Sequence, residues 1–192
     1  GAWEAALTNT LSPGDQVLMF ETGQFASLWQ KMATRLGVHA EVLAYTGSDA
    51  ALPGAPGWRQ GVQADQIEAR LRADTQHRIK AVCVVHNETS TGVTSDIPAV
   101  RRAIDNAGHP ALLMVDTSSG LASANYEHDA WGVDVAVSGS QKGLMLPPGI
   151  SFNALSPKAI EASKSAKLPK AFWAWDEIIE MNKGGYFPYT PS

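Results

Sequence analysis

Residues 111–149 read ALLMVDTSSGLASANYEHDAWGVDVAVSGSQKGLMLPPG, and the reading of the fold starts there. Two runs of strand length, ALLMV and VDVAVS, each give way to small and polar residues. A strand with one wet face alternates apolar with polar; these two are close to continuously apolar, as in a parallel sheet covered on both faces. The first run ends on Asp116, and the second leads to Lys142, which stands among Ser138, Gly139, Ser140 and Gly143. In parallel sheets ligands bind beyond the carboxyl ends of the strands, so a carboxylate and an amine in these places are the first candidates for chemistry.

The same alternation continues outward. A helix is expected over about Ala2–Leu11, stopped by Ser12-Pro13-Gly14-Asp15, and QVLMFE (16–21) reads as a strand. FASLWQKMATRLG (25–37) has helical spacing, with Leu28, Met32 and Leu36 on one face and Gly37 at its end, and AEVLAY (40–45) is the next strand. Residues 46–61, TGSDAALPGAPGWRQG, read as a surface loop. A helix in DQIEARLRA (65–73), a strand in KAVCVV (80–85) and a helix in IPAVRRAIDNAG (97–108), with Ser95 and Asp96 as candidate caps, follow. Strand ISFNALS (150–156) and surface helix PKAIEASKSAK (157–167) complete the set. The pattern implies an α/β fold, a mostly parallel mixed sheet flanked by helices, in one domain over residues 1–192.

Composition removes several function classes. A net charge of -4 with no Lys/Arg cluster argues against a nucleic-acid footprint or an anionic-membrane patch, so a small molecule or a second copy is the expected partner. The single cysteine, Cys83, lies inside a strand, which leaves no disulfide framework and no cysteine-rich metal site; a cytoplasmic setting is expected. No apolar run approaches the length of a membrane span. The chain opens on Gly1 already in helical rhythm and stops at GYFPYTPS, which reads as a piece of something longer.

Two groups at the strand ends need an explanation. A buried carboxylate such as Asp116 stays ionised only beside a cation, a metal or several donors; the alternative is that it caps the turn TSSG. Lys142 is either an ordinary solvated lysine or an amine whose pKa is lowered by burial so that it can attack a carbonyl. The small residues around it leave room for a flat group close to the backbone. One ligand reconciles both oddities. Pyridoxal phosphate bonds to a lysine, uses a carboxylate to keep its ring nitrogen protonated, and wants an aromatic face and a hydroxyl beside its ring, for which Phe25 and Thr89 stand after two other strands.

Taken in order, HNETSTGV (86–93), LLMVDTSSGLAS (112–123) and DVAVSGSQKGLMLPPG (134–149), joined by GAWEAALTNTLSPGD and GYFPYTP, resemble the class V pyridoxal-phosphate aminotransferases, in particular those using glyoxylate. The resemblance runs from Gly1 to Ser192 and implies the large domain of a fold-type I enzyme. It implies transfer of an amino group from serine or alanine to glyoxylate, with Lys142 holding the cofactor and moving the proton at the substrate's alpha carbon, and Asp116 paired with the ring nitrogen. Thr89 matches the donor to the phenolic oxygen, Phe25 the stacking aromatic and Gln141 a phosphate contact, while Ser118 replaces the family's usual aliphatic residue beneath the ring. Thr190, with Tyr186, falls where the family lends a phosphate contact to a neighbouring subunit, which implies a homodimer with the site at its interface; plain aromatic packing is the other reading of Tyr186 and Phe187. It also implies a phosphate-cradling loop before Gly1 and a substrate-gripping arginine in a further small domain.

Rival readings fare worse on the residues. ALLMVD resembles the strand and aspartate that hold magnesium in nucleotide-handling domains, but G-x-x-x-x-G-K-[ST] does not occur. HNE lacks the P-C-x-x-C partner of a zinc deaminase, the five histidines show no metal-ligand spacing, and no metal is expected. A desulfurase needs a mobile cysteine, and Cys83 falls in a strand expected to be buried. A domain that folds or dimerises without catalysing is the non-enzymatic alternative.

Overall fold

A computed structural model describes residues 1–44 and 60–189, so most of the predicted loop at 46–61, and Thr190, lie outside the described residues. The elements in chain order are α1 (Ala2–Thr10), β1 (Gln16–Phe20), α2 (Gln24–Arg35), β2 (His39–Leu43), α3 (Ala64–Ala73), β3 (Ile79–Val85), β4 (Asn87–Glu88) and β5 (Val93–Thr94). They continue with α4 (Ile97–Asn106), β6 (Leu112–Asp116), β7 (Val135–Gly139), β8 (Ser151–Leu155), α5 (Pro157–Ser163) and α6 (Trp175–Lys183). Six strands form one sheet in the order β2-β1-β3-β6-β7-β8, parallel except for β8, which runs antiparallel to β7. β4 and β5 make a separate small hairpin.

The doubly apolar strands do what their sequence requires. Val17, Met19, Cys83, Met114 and Val137 pack against α1, α2 and α5 through Leu7, Trp29, Ala33 and Ala159. The alternating residues Leu18, Val84, Leu113, Val115 and Ala136 pack on the other face against Ile67 and Leu71 of α3 and Val100 and Ile104 of α4. Each side of the sheet thus removes a continuous apolar surface from water, which is the dominant favourable term in folding. β8 departs from the expectation of burial: its outer residues Ser151 and Phe152 are exposed, because it is an edge strand with one neighbour.

Local signals mostly hold. The Asp96 side chain accepts from the Ala99 N–H at 2.9 Å and starts α4, with Pro98 in its first turn, whereas Ser95 turns inward to accept from the Val62 N–H at 3.3 Å. α2 buries Ala26, Trp29 and Ala33 rather than the expected Leu28, Met32 and Leu36. The ring of Trp29 decides the face: it is 1% exposed, Met32 and Leu36 flank it partly buried, and Leu28 is left outside. Helix α6 was not anticipated from sequence. Its first turn is fixed from α1, where Asn9 accepts from the Trp175 N–H at 3.0 Å and donates to the Trp173 carbonyl at 2.6 Å. No described helix is long and apolar enough to cross a membrane.

Candidate active site

The carboxyl ends of β3, β6 and β7 come level with one another: Val85 is in register with Asp116, and Asp116 with Val137. A cleft of about 800 Å³ opens over this edge, and Lys142, Gln141, Ser118, Trp3 and Phe187 are among the residues that line it. Lys142 and the Asp116–Ser118 turn therefore meet from elements separated in sequence. Asp116 itself lies behind this wall, which its turn reaches through Ser118.

Asp116 is 3% exposed. Its Oδ2 accepts from the Trp3 indole N–H at 2.9 Å and its Oδ1 from the Ser118 backbone N–H at 2.7 Å. Among the described residues no basic group lies within ion-pair distance. Burial raises its pKa above the ordinary carboxylate value; the donors of Ser118 and Trp3 pull the other way, and the charge of Glu88 pushes it further up. A buried carboxylate with neutral donors and no cation fits the protonated ring nitrogen of pyridoxal phosphate. The turn-cap reading also holds in part, since Ser118 is the donor a cap would use, but a cap alone does not explain the Trp3 contact.

Lys142 differs from expectation. It is exposed, in a turn where its carbonyl accepts from the Met145 N–H at 2.9 Å, and not buried as a desolvated amine would be. The turn is fixed by Ser140, which is fully buried: its N–H donates to the Ile150 carbonyl at 3.0 Å, its hydroxyl to the Pro147 carbonyl at 2.6 Å. Gly143 is required by close approach, because a Cβ there would lie 2.1 Å from the Leu121 carbonyl oxygen and 2.9 Å from the Ala122 carbonyl carbon. The small residues around Lys142 press its turn against the turn that follows Asp116.

The remaining predicted residues divide. The Thr89 and Ser119 hydroxyls are hydrogen-bonded to each other, which ties Thr89 to the residues next to Ser118. Phe25 is half-buried at the start of α2 and is not on the cleft wall. Tyr186 is 70% exposed and also off the wall, which Phe187 and Tyr189 occupy instead.

Glu88 was missed from sequence although it organises the start of α2, where Phe25 stands. Its fully buried carboxylate accepts from the N–H groups of Phe25 (3.2 Å) and Ala26 (3.1 Å) at the N-terminus of α2, and from the Ser90 hydroxyl at 2.8 Å. A carboxylate at a helix N-terminus satisfies donors that have no partner within the helix and complements its dipole. Gly23 makes room, since a Cβ there would lie 2.6 Å from Glu88 Cγ. Ser90, five residues beyond β3, was the available sequence signal; the 62 and 63 residues separating Glu88 from its helix donors hid the rest.

Known proteins resolve the family. A family model described as aminotransferase class-V matches residues 2–169. The chain belongs to that family. A serine–glyoxylate aminotransferase of Arabidopsis thaliana is 48% identical over 193 residues, covering 100% of this chain and 45% of that protein. An L-aspartate–glyoxylate aminotransferase of Paracoccus denitrificans is 48% identical over 191 residues, with 100% and 46% covered. A solved aspartate aminotransferase of subgroup IV from Thermus thermophilus matches with a TM-score of 0.82 at 31% identity, covering 100% of this chain and 49% of that one. The chain spans about half the length of the curated relatives it matches. Its sheet is that of the fold-type I aminotransferases. Within this class V chain the desulfurase alternative gains nothing, as Cys83 is buried in β3 and burial pushes its thiol pKa up, away from the reactive thiolate. Among the described residues no cluster of three or more His, Cys, Asp or Glu could hold a metal.

Proposed function

We propose that the chain is the cofactor-binding large domain of a pyridoxal-phosphate-dependent transaminase that moves the amino group of serine or alanine to glyoxylate. The observation that carries this reading is a cleft of a class V fold walled by Lys142, Ser118 and Trp3, the last two of which donate to the buried Asp116 that has no cation beside it among the described residues. The two relatives name different donors, serine and aspartate, at equal identity. A small uncharged side chain on the donor is favoured by the wall: Lys142 is its one basic side chain among the described residues, and the rest is mostly apolar.

When bound, pyridoxal phosphate supplies an electron sink for the pair left at the donor's alpha carbon. The chain's own residues do the remaining work. Lys142 would hold the cofactor covalently, and its Nζ is the group that would move the proton at the alpha carbon. The Asp116 carboxylate would keep the ring nitrogen protonated by its charge. Thr89 would donate toward the phenolic oxygen, Gln141 would contact the phosphate and Ser118 the ring, and Phe25 would be the stacking aromatic although it stands off the cleft wall at the start of α2.

A homodimer is proposed on the exposure of large apolar side chains near the cleft: Met145 is 89% exposed, Phe187 57% and Phe172 50%. Tyr186 and Thr190 would then serve the neighbouring site. The lone buried Cys83 supports a cytoplasmic, reducing setting. Borohydride reduction of the cofactor-loaded full-length protein, followed by peptide mapping, is expected to find the cofactor on the Lys142 peptide. Attachment at Lys80, Lys158 or any other lysine would overturn the assignment.

A further inference from the structure

Trp3 has no role assigned by the reading above, yet its side chain donates a hydrogen bond to Asp116 from 113 residues away. It is the second residue of α1, lines the cleft, and stacks on Trp29 of α2 with ring centroids 6.0 Å apart and an interplanar angle of 12°. Trp29 is 1% exposed, so the surface that steadies the Trp3 indole is itself fixed in the core. The indole N–H then reaches Asp116 Oδ2 at 2.9 Å, while the Ser118 N–H takes Oδ1 at 2.7 Å. With one donor on each oxygen, rotation of the carboxylate about its last bond breaks at least one hydrogen bond. A carboxylate offers about four lone-pair sites, so these two donors leave acceptor capacity on each oxygen.

We propose that Trp3 is a positioning residue: its indole N–H fixes the plane and ionisation of Asp116 so that a free lone pair meets the protonated ring nitrogen of the cofactor. This rests on the proposed cofactor chemistry but deepens it, adding a donor that acts through Asp116. Trp3 supplies no charge and does not replace the cation. It makes the ionised form of Asp116 less costly before the cation arrives and keeps it aimed afterwards. An indole is suited to this, because it is a donor only and cannot compete for the ring proton.

Trp3→Phe in the full-length protein keeps a ring on Trp29 and removes the N–H together with the five-membered ring that bears it. The visible band of the lysine-bound cofactor should persist and KM should change little. Loss of one hydrogen bond to a charged group should lower kcat about ten-fold. The acid limb of the pH profile should move to higher pH, since Asp116 would protonate more readily. Indole N–H resonances of protein labelled at tryptophan give a readout independent of activity. In the cofactor-free protein the Trp3 signal, identified by its absence in Trp3→Phe, should move in Asp116→Asn, and it should remain hydrogen-bonded after cofactor is added. Wild-type kcat and pH profile in Trp3→Phe would overturn the proposal, and so would a Trp3 signal that ignores Asp116→Asn. A signal that becomes that of a free indole on loading would make Trp3 a placeholder and overturn it too. If Trp3→Phe does not fold, the resonances of the wild type and Asp116→Asn decide, with Trp3 assigned by sequential labelling. A wild-type protein that takes no cofactor on Lys142 defeats the proposed function, while the link between Trp3 and Asp116 is still read from the cofactor-free spectra.

Discussion

At 3% exposure the Asp116 carboxylate gives up most of its hydration and receives in exchange two neutral N–H donors, from Trp3 and Ser118. Neutral donors compensate only part of the cost of burying a charge, and the pKa is raised accordingly, by burial first. A cationic ring nitrogen supplies the missing attraction. The sign of the pH effect follows: the cation favours ionised Asp116, so cofactor affinity is full above the group's raised pKa and is lost as pH falls through it. Asp116→Asn keeps the shape and removes the charge. In the full-length protein it should weaken cofactor binding, flatten the acid limb of that affinity profile, and slow turnover by roughly ten- to thousand-fold, the range for losing about one to four kcal/mol of charge stabilisation. Spectrophotometric titration and steady-state rates measure both. Near-normal turnover would leave Asp116 as no more than the cap of its turn.

One element, the turn over residues 140–146, carries Gln141 and Lys142, and it is fixed by backbone fit rather than by burial of the lysine. Leu146 N–H returns to the Ser140 carbonyl at 3.1 Å, and Gly143 lies against the Leu121 carbonyl. Gly143→Ala must therefore displace one of two backbone segments, because the nearest atom a Cβ meets, the Leu121 carbonyl oxygen at 2.1 Å, belongs to main chain that cannot swing away as the Ser123 hydroxyl could. The expected cost is about 1–3 kcal/mol, with Lys142 moved off the cleft and the visible cofactor band weakened. A urea midpoint and band intensity equal to wild type would show slack in the turn. This constraint was legible in the sequence only as a run of small residues; which backbone they approach was not, since it depends on a contact across 22 residues. The central strands could be read because burial on both faces writes continuous apolar runs, and Asp116 and Lys142 because parallel topology gathers strand ends. Helix α6 was hidden because WDEIIEMNK buries only Trp175, and the β4–β5 hairpin because two residues per strand leave no period. The Trp3–Asp116 and Glu88–Phe25 contacts span 113 and 63 residues, and no local pattern encodes such pairs.

For the molecule as a whole, acid sensitivity rests on imidazoles that the fold keeps neutral. His86 is buried between Tyr126 and Trp131, with ring centroids 5.7 and 5.8 Å away, and its Nδ1 has no partner among the described residues. The tautomer of His109 is fixed: its Nδ1 accepts from the Ala111 N–H at 3.1 Å, so Nε2 carries the hydrogen that points at Asp74, 3.2 Å away. His128 is half-buried, with Nδ1 3.0 Å from the Tyr126 hydroxyl. Burial lowers all three pKa values below the ordinary 6.5; for His109 the carboxylate of Asp74, and for His128 those of Asp129 and Asp134, oppose the shift without reversing it. A histidine depressed in the folded state binds its proton more readily when unfolded. Its contribution is therefore fully present above 6.5 and is lost as pH falls through that value toward the folded pKa. Asp74, whose pKa is lowered, adds to the loss at still lower pH, while Asp116, whose pKa is raised, acts in the opposite sense and offsets part of it. Three histidines share one sign against a single carboxyl of the other, so the net slope below about pH 6.5 follows the histidines. The urea midpoint should stay level from about pH 8 to pH 7 and then fall steadily toward pH 5, and His109→Gln, which keeps a side-chain amide for Asp74 or Ala111, should make that fall shallower. A midpoint that is flat across the whole range would mean that these rings reach water before the chain unfolds, and the buried histidines would then have no part in its stability.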